Sequence, residues 1–298
     1  MTDMTRRRFL GSTAAAAAGL AAALSPHARA IEPFQRSGKP LLKLSLAAYS
    51  LRQFLTGDKP SLDIPGFIDY CASLGLDGAE PTSYFFPKTF DRAYLNDLKR
   101  RAHVAGLDIS GGAIGNNFTL EGDALQKQID HTITWIDHYA ALGAPVIRVF
   151  AGAPPRGVSE EDAIKRCVPV FEQVCEQAGK RGVMLAIENH DFAMKIDRLM
   201  QIVKAVKSPW FGVNLDSGNF HSADPYADLM TIAPYSVNAQ IKVEIQPAGK
   251  PKEPTDLKRV INILKDSGYR GYVVLEYEAA EDPYKAIPRY IDELRGLI

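Results

Sequence analysis

The sequence predicts a single (β/α)8 barrel over residues 31–298, and three observations lead there. Short apolar runs rich in β-branched residues alternate with amphipathic helical stretches at a spacing of roughly thirty residues, the size of a βα unit. A glycine stands between helix and run in five of the units, where a helix C-cap needs a left-handed residue. Several of the runs end abruptly in a carboxylate, the pattern of buried parallel strands whose tips carry chemistry. A doubly wound open sheet is the alternative, but no G-x-G-x-x-G follows the first strand.

The strands are readable in order. LKLSLAAYS (42–50) is the first. SLGLDGAE (73–80), VAGLDISG (104–111), ALGAPVIRVF (141–150), KRGVMLAIE (180–188) and DSGYRGYVVLE (266–276) each carry the helix-closing glycine, and FGVNLD (211–216) and NAQIKVE (238–244) complete a set of eight. Helix starts are marked as well. Asp63-Ile64-Pro65 sets an N-cap acid before a first-turn proline, and Ser159 through Asp162 resembles a capping box. No low-complexity segment or linker interrupts residues 31–298, so they read as one domain. About 270 residues suit one barrel.

The first thirty residues read differently. Arg6, Arg7 and Arg8 precede Phe9 and Leu10, an Ala-rich apolar run follows, and Ala28-Arg29-Ala30 closes it. This is the layout of an export signal, and the paired arginines are those of a twin-arginine (Tat) signal, an address that leaves no anchor. The expected mature protein starts near Ile31 in the periplasm and has no stable membrane insertion.

Composition narrows the partners. Lys plus Arg number 35 and Asp plus Glu number 35, with no basic run after the signal, so a nucleic acid partner is not expected. The three cysteines, Cys71, Cys167 and Cys175, make no disulfide framework. Cys167 and Cys175 fall on one helix, about 12 Å apart, too far to bridge. Buried thiols are expected. The sequence leaves a homo-oligomer open.

In a barrel, strand C-termini form the active face. Glu188, Asp216 and Glu276 end three runs, and Gln240, Lys242 and Glu244 share one face of a fourth. Three carboxylates converging on one point require a cation among them. With Gln240 offering a carbonyl oxygen, the expected ligand set is Glu188, Asp216, Gln240 and Glu276. Oxygen-rich donors of this kind suit Mn above all, with Mg, Co and Zn as alternatives. Such an ion polarises a sugar carbonyl, while Glu188 and Glu276 serve as base and acid on opposite faces of the substrate. His190, Lys242, Arg148 and Glu80 lie at strand ends as candidate substrate contacts, each with a structural role as its alternative. His103, His131 and His138 fall on helices and are expected at the solvent side. Specificity is expected in loops 82–90, 111–120 and 151–158.

On these residues the chain, from Leu42 to its C-terminus, resembles the sugar phosphate isomerase/epimerase superfamily, the xylose-isomerase-like barrels that include ketose 3-epimerases, inosose dehydratases and endonuclease IV. The ENH, NLDSGNF and LEYE stretches are similar to those of a Tat-exported branch. The resemblance implies metal ligands on strands five to eight at Glu188, Asp216, Gln240 and Glu276. Two positions depart from the family pattern. Gln240 stands where a histidine ligand is usual. Asn219 stands where the D-x-x-H stretch has a substrate-contacting histidine, which makes Asn219 a substrate contact here. The histidines of a trinuclear nuclease site are missing, so a nuclease is not expected.

The function expected is a metal-dependent sugar isomerase or epimerase that abstracts a proton next to a carbonyl of a small sugar or keto-sugar. Its rivals are a 3-keto-glycoside lyase or hydrolase using the same site, and a barrel that binds carbohydrate without catalysis.

Overall fold

A computed structural model describes residues 30–298. The expected export signal, apart from Ala30, lies outside the described residues. Eight parallel strands form the barrel: β1 (Leu41–Ala47), β2 (Gly78–Glu80), β3 in two pieces (Asp108–Ile109 and Gly112–Ala113), β4 (Val146–Val149), β5 (Met184–Glu188), β6 (Phe211–Asp216), β7 (Ser236–Ile241) and β8 (Arg270–Leu275). The hydrogen-bonded order runs from the first piece of β3 through β2, β1, β8, β7, β6, β5 and β4 to its second piece, so the broken third strand supplies both edges. A parallel bridge between Thr82 and Ala113 brings the edges together.

Among the described residues eight helices of eight or more residues surround the barrel: α1 (Ile64–Ser73), α2 (Arg92–Val104), α3 (Gly122–Leu142), α4 (Glu160–Arg181), α5 (Ile196–Ala205), α6 (Pro225–Ile232), α7 (Leu257–Asp266) and α8 (Pro283–Leu297). Their ends are as the sequence implies. Asp63 caps α1 by accepting from the Gly66 amide at 2.8 Å, and the Ser159 hydroxyl caps α4 by accepting from the Asp162 amide at 3.0 Å. Gly75, Gly106, Gly143, Gly182 and Gly268, the five read as helix closers, all have positive φ. All three cysteines are free and buried, with Cys167 and Cys175 both on α4. Among the described residues no helix is long and apolar enough to cross a membrane.

The strands are buried on both faces, yet the faces differ. Phe211, Val213 and Leu215 of β6 alternate with Gly212, Asn214 and Asp216. In β7, Asn238 and Gln240 alternate with Ala239 and Ile241. The apolar set joins the core that the helices cover, and the polar set faces the barrel interior. There Asn238 donates to Glu80 at 2.8 Å and to Asn214 at 2.9 Å, and the Ser45 and Ser110 hydroxyls meet at 2.7 Å. Barrel interiors are usually filled by bulky branched side chains. Here the buried donors and acceptors pair with one another instead, which removes most of the cost of burying them.

Tyr139 of α3 repairs the break in β3. Its ring is fully buried against Gly112, and its hydroxyl donates to the Pro81 carbonyl at 2.7 Å while accepting from the Ala113 amide at 3.3 Å. A Cβ at Gly112 would lie 2.2 Å from that ring. Gly112→Ala is therefore expected to lower the unfolding free energy by roughly 1–3 kcal/mol, the range for overpacking a filled site. Chemical denaturation checks this, and an unshifted midpoint would mean that Tyr139 is free to move aside.

Candidate active site

At the C-terminal mouth, side chains extend the strand ladders past the last backbone pair. Asn189, next after β5, clamps the Asp216 backbone: its carbonyl oxygen accepts from the Asp216 amide at 2.8 Å and its NH2 donates to the Asp216 carbonyl at 2.9 Å. Asn116 does the same for Phe150, next after β4, at 2.8 and 2.7 Å. The Ser217 hydroxyl accepts from the Lys242 amide at 2.8 Å, and Ser50 accepts from the Tyr277 amide at 2.9 Å. These clamps hold the backbone at or beside four residues of the site: Phe150, Asp216, Lys242 and Glu276.

Glu188, Asp216 and Glu276 come together, each offering an oxygen within 4.8 Å of the others, and all three are buried. Two cations face them. Arg148 places Nε 3.0 Å from Glu188 Oε2 and stacks its guanidinium 4.0 Å from the Phe150 ring centroid. Lys242 Nζ lies 2.6 Å from Glu276, 2.7 Å from Glu278 and 3.5 Å from Asp216. Asn219 donates to Glu188 Oε1 at 2.9 Å, and the Gly218 amide donates to Asp216 Oδ1 at 2.8 Å. His190 lies over the Phe150 ring, with centroids 4.5 Å apart.

Burial and charge pull the carboxyls apart. Burial pushes Glu188 up to about 7 against the pull of Arg148, with Glu276 adding to the rise. Burial also raises Asp216 well above the usual range, although Lys242 opposes it. At Glu276 burial is outweighed by the Lys242 ammonium, through charge and hydrogen bond, and the carboxyl sits below its ordinary value. Burial works against the charges of Lys242 and Arg148, and their acidic neighbours more than reverse it.

The donor set fits a divalent cation. Asp216 Oδ2 is buried without a hydrogen-bond donor, the Lys242 ammonium lying 3.5 Å from it, and the oxygens of Glu188, Asp216 and Glu276 converge on one point. Hard oxygen donors in that arrangement suit Mg- or Mn-type ions.

Tyr49, Tyr84, Arg148, Phe150, His190 and Glu278 are among the residues that wall a chamber of about 210 Å³ over the acids. The expected residues Glu188, Glu276, His190, Asn219, Lys242 and Arg148 all line it. Glu80 does not. Expected at the substrate, it is instead 0 % exposed below the mouth, where it accepts from Asn238 and, at 2.6 Å, from Gln240. Its strand is short, so Glu80 stays within the interior layer. Gln240 is also below the mouth, its carbonyl oxygen accepting from Asn214 at 2.7 Å. His103 and His131 are solvent-side as expected, whereas His138 is half-buried against Phe90.

Sequence reasoning missed Tyr49, Phe150, Asn189 and Glu278. Glu278 had a signal, since it is two residues beyond Glu276 and so on the same side of an extended chain. Tyr84 lies in the loop expected to set specificity.

The family profile of the xylose isomerase-like TIM barrel matches residues 68–294. The chain belongs to that family. None of the curated protein sequences compared matches it. Among solved structures, a xylose isomerase domain protein from Planctomyces limnophilus superposes with a TM-score of 0.67 at 16% identity, covering 87% of this chain and 98% of that one. D-psicose 3-epimerase from Clostridium cellulolyticum H10, solved with D-tagatose, gives 0.66 at 17%, covering 86% and 91%. The 3-keto-D-glucoside 4-epimerase of E. coli gives 0.67 at 14%, covering 87% and 100%. At these identities the likeness establishes the barrel.

Burial of Glu80 makes stability depend on pH. Desolvation raises its carboxyl to about 7 in the fold, against the hydrogen bonds from Asn238 and Gln240. A raised carboxyl favours the fold at low pH, and that stability is lost as pH rises from the unfolded value of 4.5 through about 7. Relative to Glu80→Gln, the wild type is expected to lose about 3 kcal/mol of unfolding free energy between pH 4 and 8. Urea titrations of both proteins across that range measure it. Parallel pH curves would mean that Glu80 does not titrate in this way.

Proposed function

We propose that the chain is a divalent-metal-dependent sugar isomerase or epimerase that abstracts a proton next to a sugar carbonyl, and that it works in the periplasm after export by its N-terminal signal. The observation that carries this is the buried group of Glu188, Asp216 and Glu276, with an Asp216 oxygen that accepts no hydrogen bond, beneath a chamber rimmed by aromatic side chains. Sugar epimerases among the structural neighbours support the same reading.

Glu188, Asp216 and Glu276 would hold the ion. Gln240, bonded below the mouth to Asn214 and Glu80, would have to turn from them to add its carbonyl oxygen. When bound, the ion supplies Lewis-acid polarisation of the carbonyl and stabilises the charge that develops as the proton leaves. The chain's own groups do the rest. Glu276 and Glu188 reach the chamber from β8 and β5, with two strands between them, and move protons at the two faces of the sugar. Lys242, His190, Asn219 and Arg148 present donors to substrate oxygens. Tyr49, Tyr84 and Phe150 offer apolar surface to the ring's carbon face and keep water from the reacting carbon.

Metal content decides first. Mature protein from the periplasmic fraction, purified without tag or chelator, is expected to carry about one divalent ion per chain. Glu188→Gln is expected to lose it, and Gln240→His to bind it more tightly. No metal in the wild type would sink the catalytic reading and leave a sugar-binding barrel. Retention of the protein in the cytoplasm would remove the periplasmic assignment, and unchanged affinity in Gln240→His would remove Gln240 from the ligand set.

For the chemistry, incubation with ketohexoses in heavy water should incorporate deuterium next to the carbonyl. Glu276→Gln should slow that exchange by roughly 10²–10⁴-fold with the fold intact. Exchange at the wild-type rate would take Glu276 out of the mechanism.

A further inference from the structure

The mouth contains two chambers. Beside the one over the acids lies a second of about 190 Å³, and the two share Asn219, Lys242 and Glu278 as walls. The outer wall of the second is a short antiparallel hairpin, Glu244–Ile245 paired with Glu253–Pro254, that follows β7. Its floor is the turn after Asp216. A Cβ on Gly218 would lie 2.7 Å from the Lys242 Cβ and 2.8 Å from the Glu244 carbonyl oxygen, so the turn packs directly on the hairpin's base and only glycine fits.

The chambers differ in chemistry. The first has Tyr49, Tyr84 and Phe150 against which a ring can lie. The second combines the donors and acceptors of Glu244, Gln246, Lys252 and His221 with the aliphatic Val243, Ile245 and Ala279, and has no Phe, Tyr or Trp. A sugar ring suits such mixed walls, its hydroxyls meeting the polar groups and its C–H faces the aliphatic ones; a wholly apolar occupant would strand the polar groups. Between the chambers stands the Lys242–Glu278 ion pair, with the Glu278 side chain 33% exposed. Size points the same way. Each chamber alone falls below the roughly 300 Å³ at which ligand sites usually begin, and the two together pass it.

We propose that the cleft binds a sugar bearing a second hydroxyl-rich ring, a glycoside or disaccharide, in preference to a free monosaccharide. The reacting ring occupies the chamber over Glu188 and Glu276. The appended ring lies against the hairpin, and the linkage crosses the Lys242–Glu278 pair. This rests on the sugar reading above and narrows its substrate class.

The test is calorimetric titration of the mature, metal-loaded protein with D-fructose and with three disaccharides that append a second ring to it at different carbons: turanose, lactulose and isomaltulose. At least one disaccharide is expected to bind about tenfold more tightly than D-fructose. Ala279→Trp, which places an indole in the second chamber, and Lys252→Ala, at an exposed position, should each reduce that ratio by about threefold or more. Circular dichroism checks the fold of the tryptophan variant, and the lysine variant serves if it fails. D-fructose binding with no advantage for any disaccharide would overturn the two-ring proposal and leave the sugar reading standing. An advantage that survives the substitutions would overturn the placement of the second ring. No binding by any of the four sugars would bring down the sugar reading and this proposal together.

Discussion

Three carboxylates buried at one point set the terms for the rest of the site. Each unpaired ion in a low-dielectric interior costs several kcal/mol, and like charges a few ångströms apart add to that cost. The barrel answers with two cations delivered from inward-facing positions. Arg148 rises from β4 to Glu188, and Lys242, just past β7, reaches Glu276, Glu278 and Asp216. Each cation has its own support: Arg148 lies on Phe150, with its Nη1 donating to the Ile114 carbonyl, and the Lys242 backbone is held by Ser217. The three carboxyls and two cations so gathered leave the mouth with oxygens that could hold a metal ion. A polar interior extends beneath it, where Glu80, Asn214, Asn238 and Gln240 satisfy one another.

Much of this was legible in the sequence because it depends on local rules. The helix-closing glycines, the Asp63 and Ser159 caps and the eight apolar runs follow from backbone sterics and burial, which leave a mark on each residue. The acids were legible too, since an ionised side chain at the end of an apolar run is costly enough to stand out. What escaped was information carried by the partner. Gln240 and Glu80 look in sequence like mouth residues, and only the stacking of β2 against β7 across the interior shows that they meet each other. Asn189, Asn116 and Ser50 read as ordinary loop polars, because their role is to bond a backbone that lies 27, 34 and 227 residues away in sequence. The third strand looks continuous in sequence, yet it is broken between Ile109 and Gly112. Its repair by Tyr139 comes from a helix that no strand pattern describes.

The side-chain clamps at the strand tips have a consequence for how such a barrel can be remodelled. Each one anchors a residue of one loop to the backbone of the neighbouring strand: Asn116 to Phe150, Asn189 to Asp216, Ser217 to Lys242, Ser50 to Tyr277. The loops are therefore not interchangeable cartridges on a fixed frame. Exchanging the loop after β5 along with Asn189 would loosen Asp216, a residue of another loop's strand, before any new contact was made. The frame of this barrel extends one or more residues beyond its last ladder pair, and the part free to vary begins only after that.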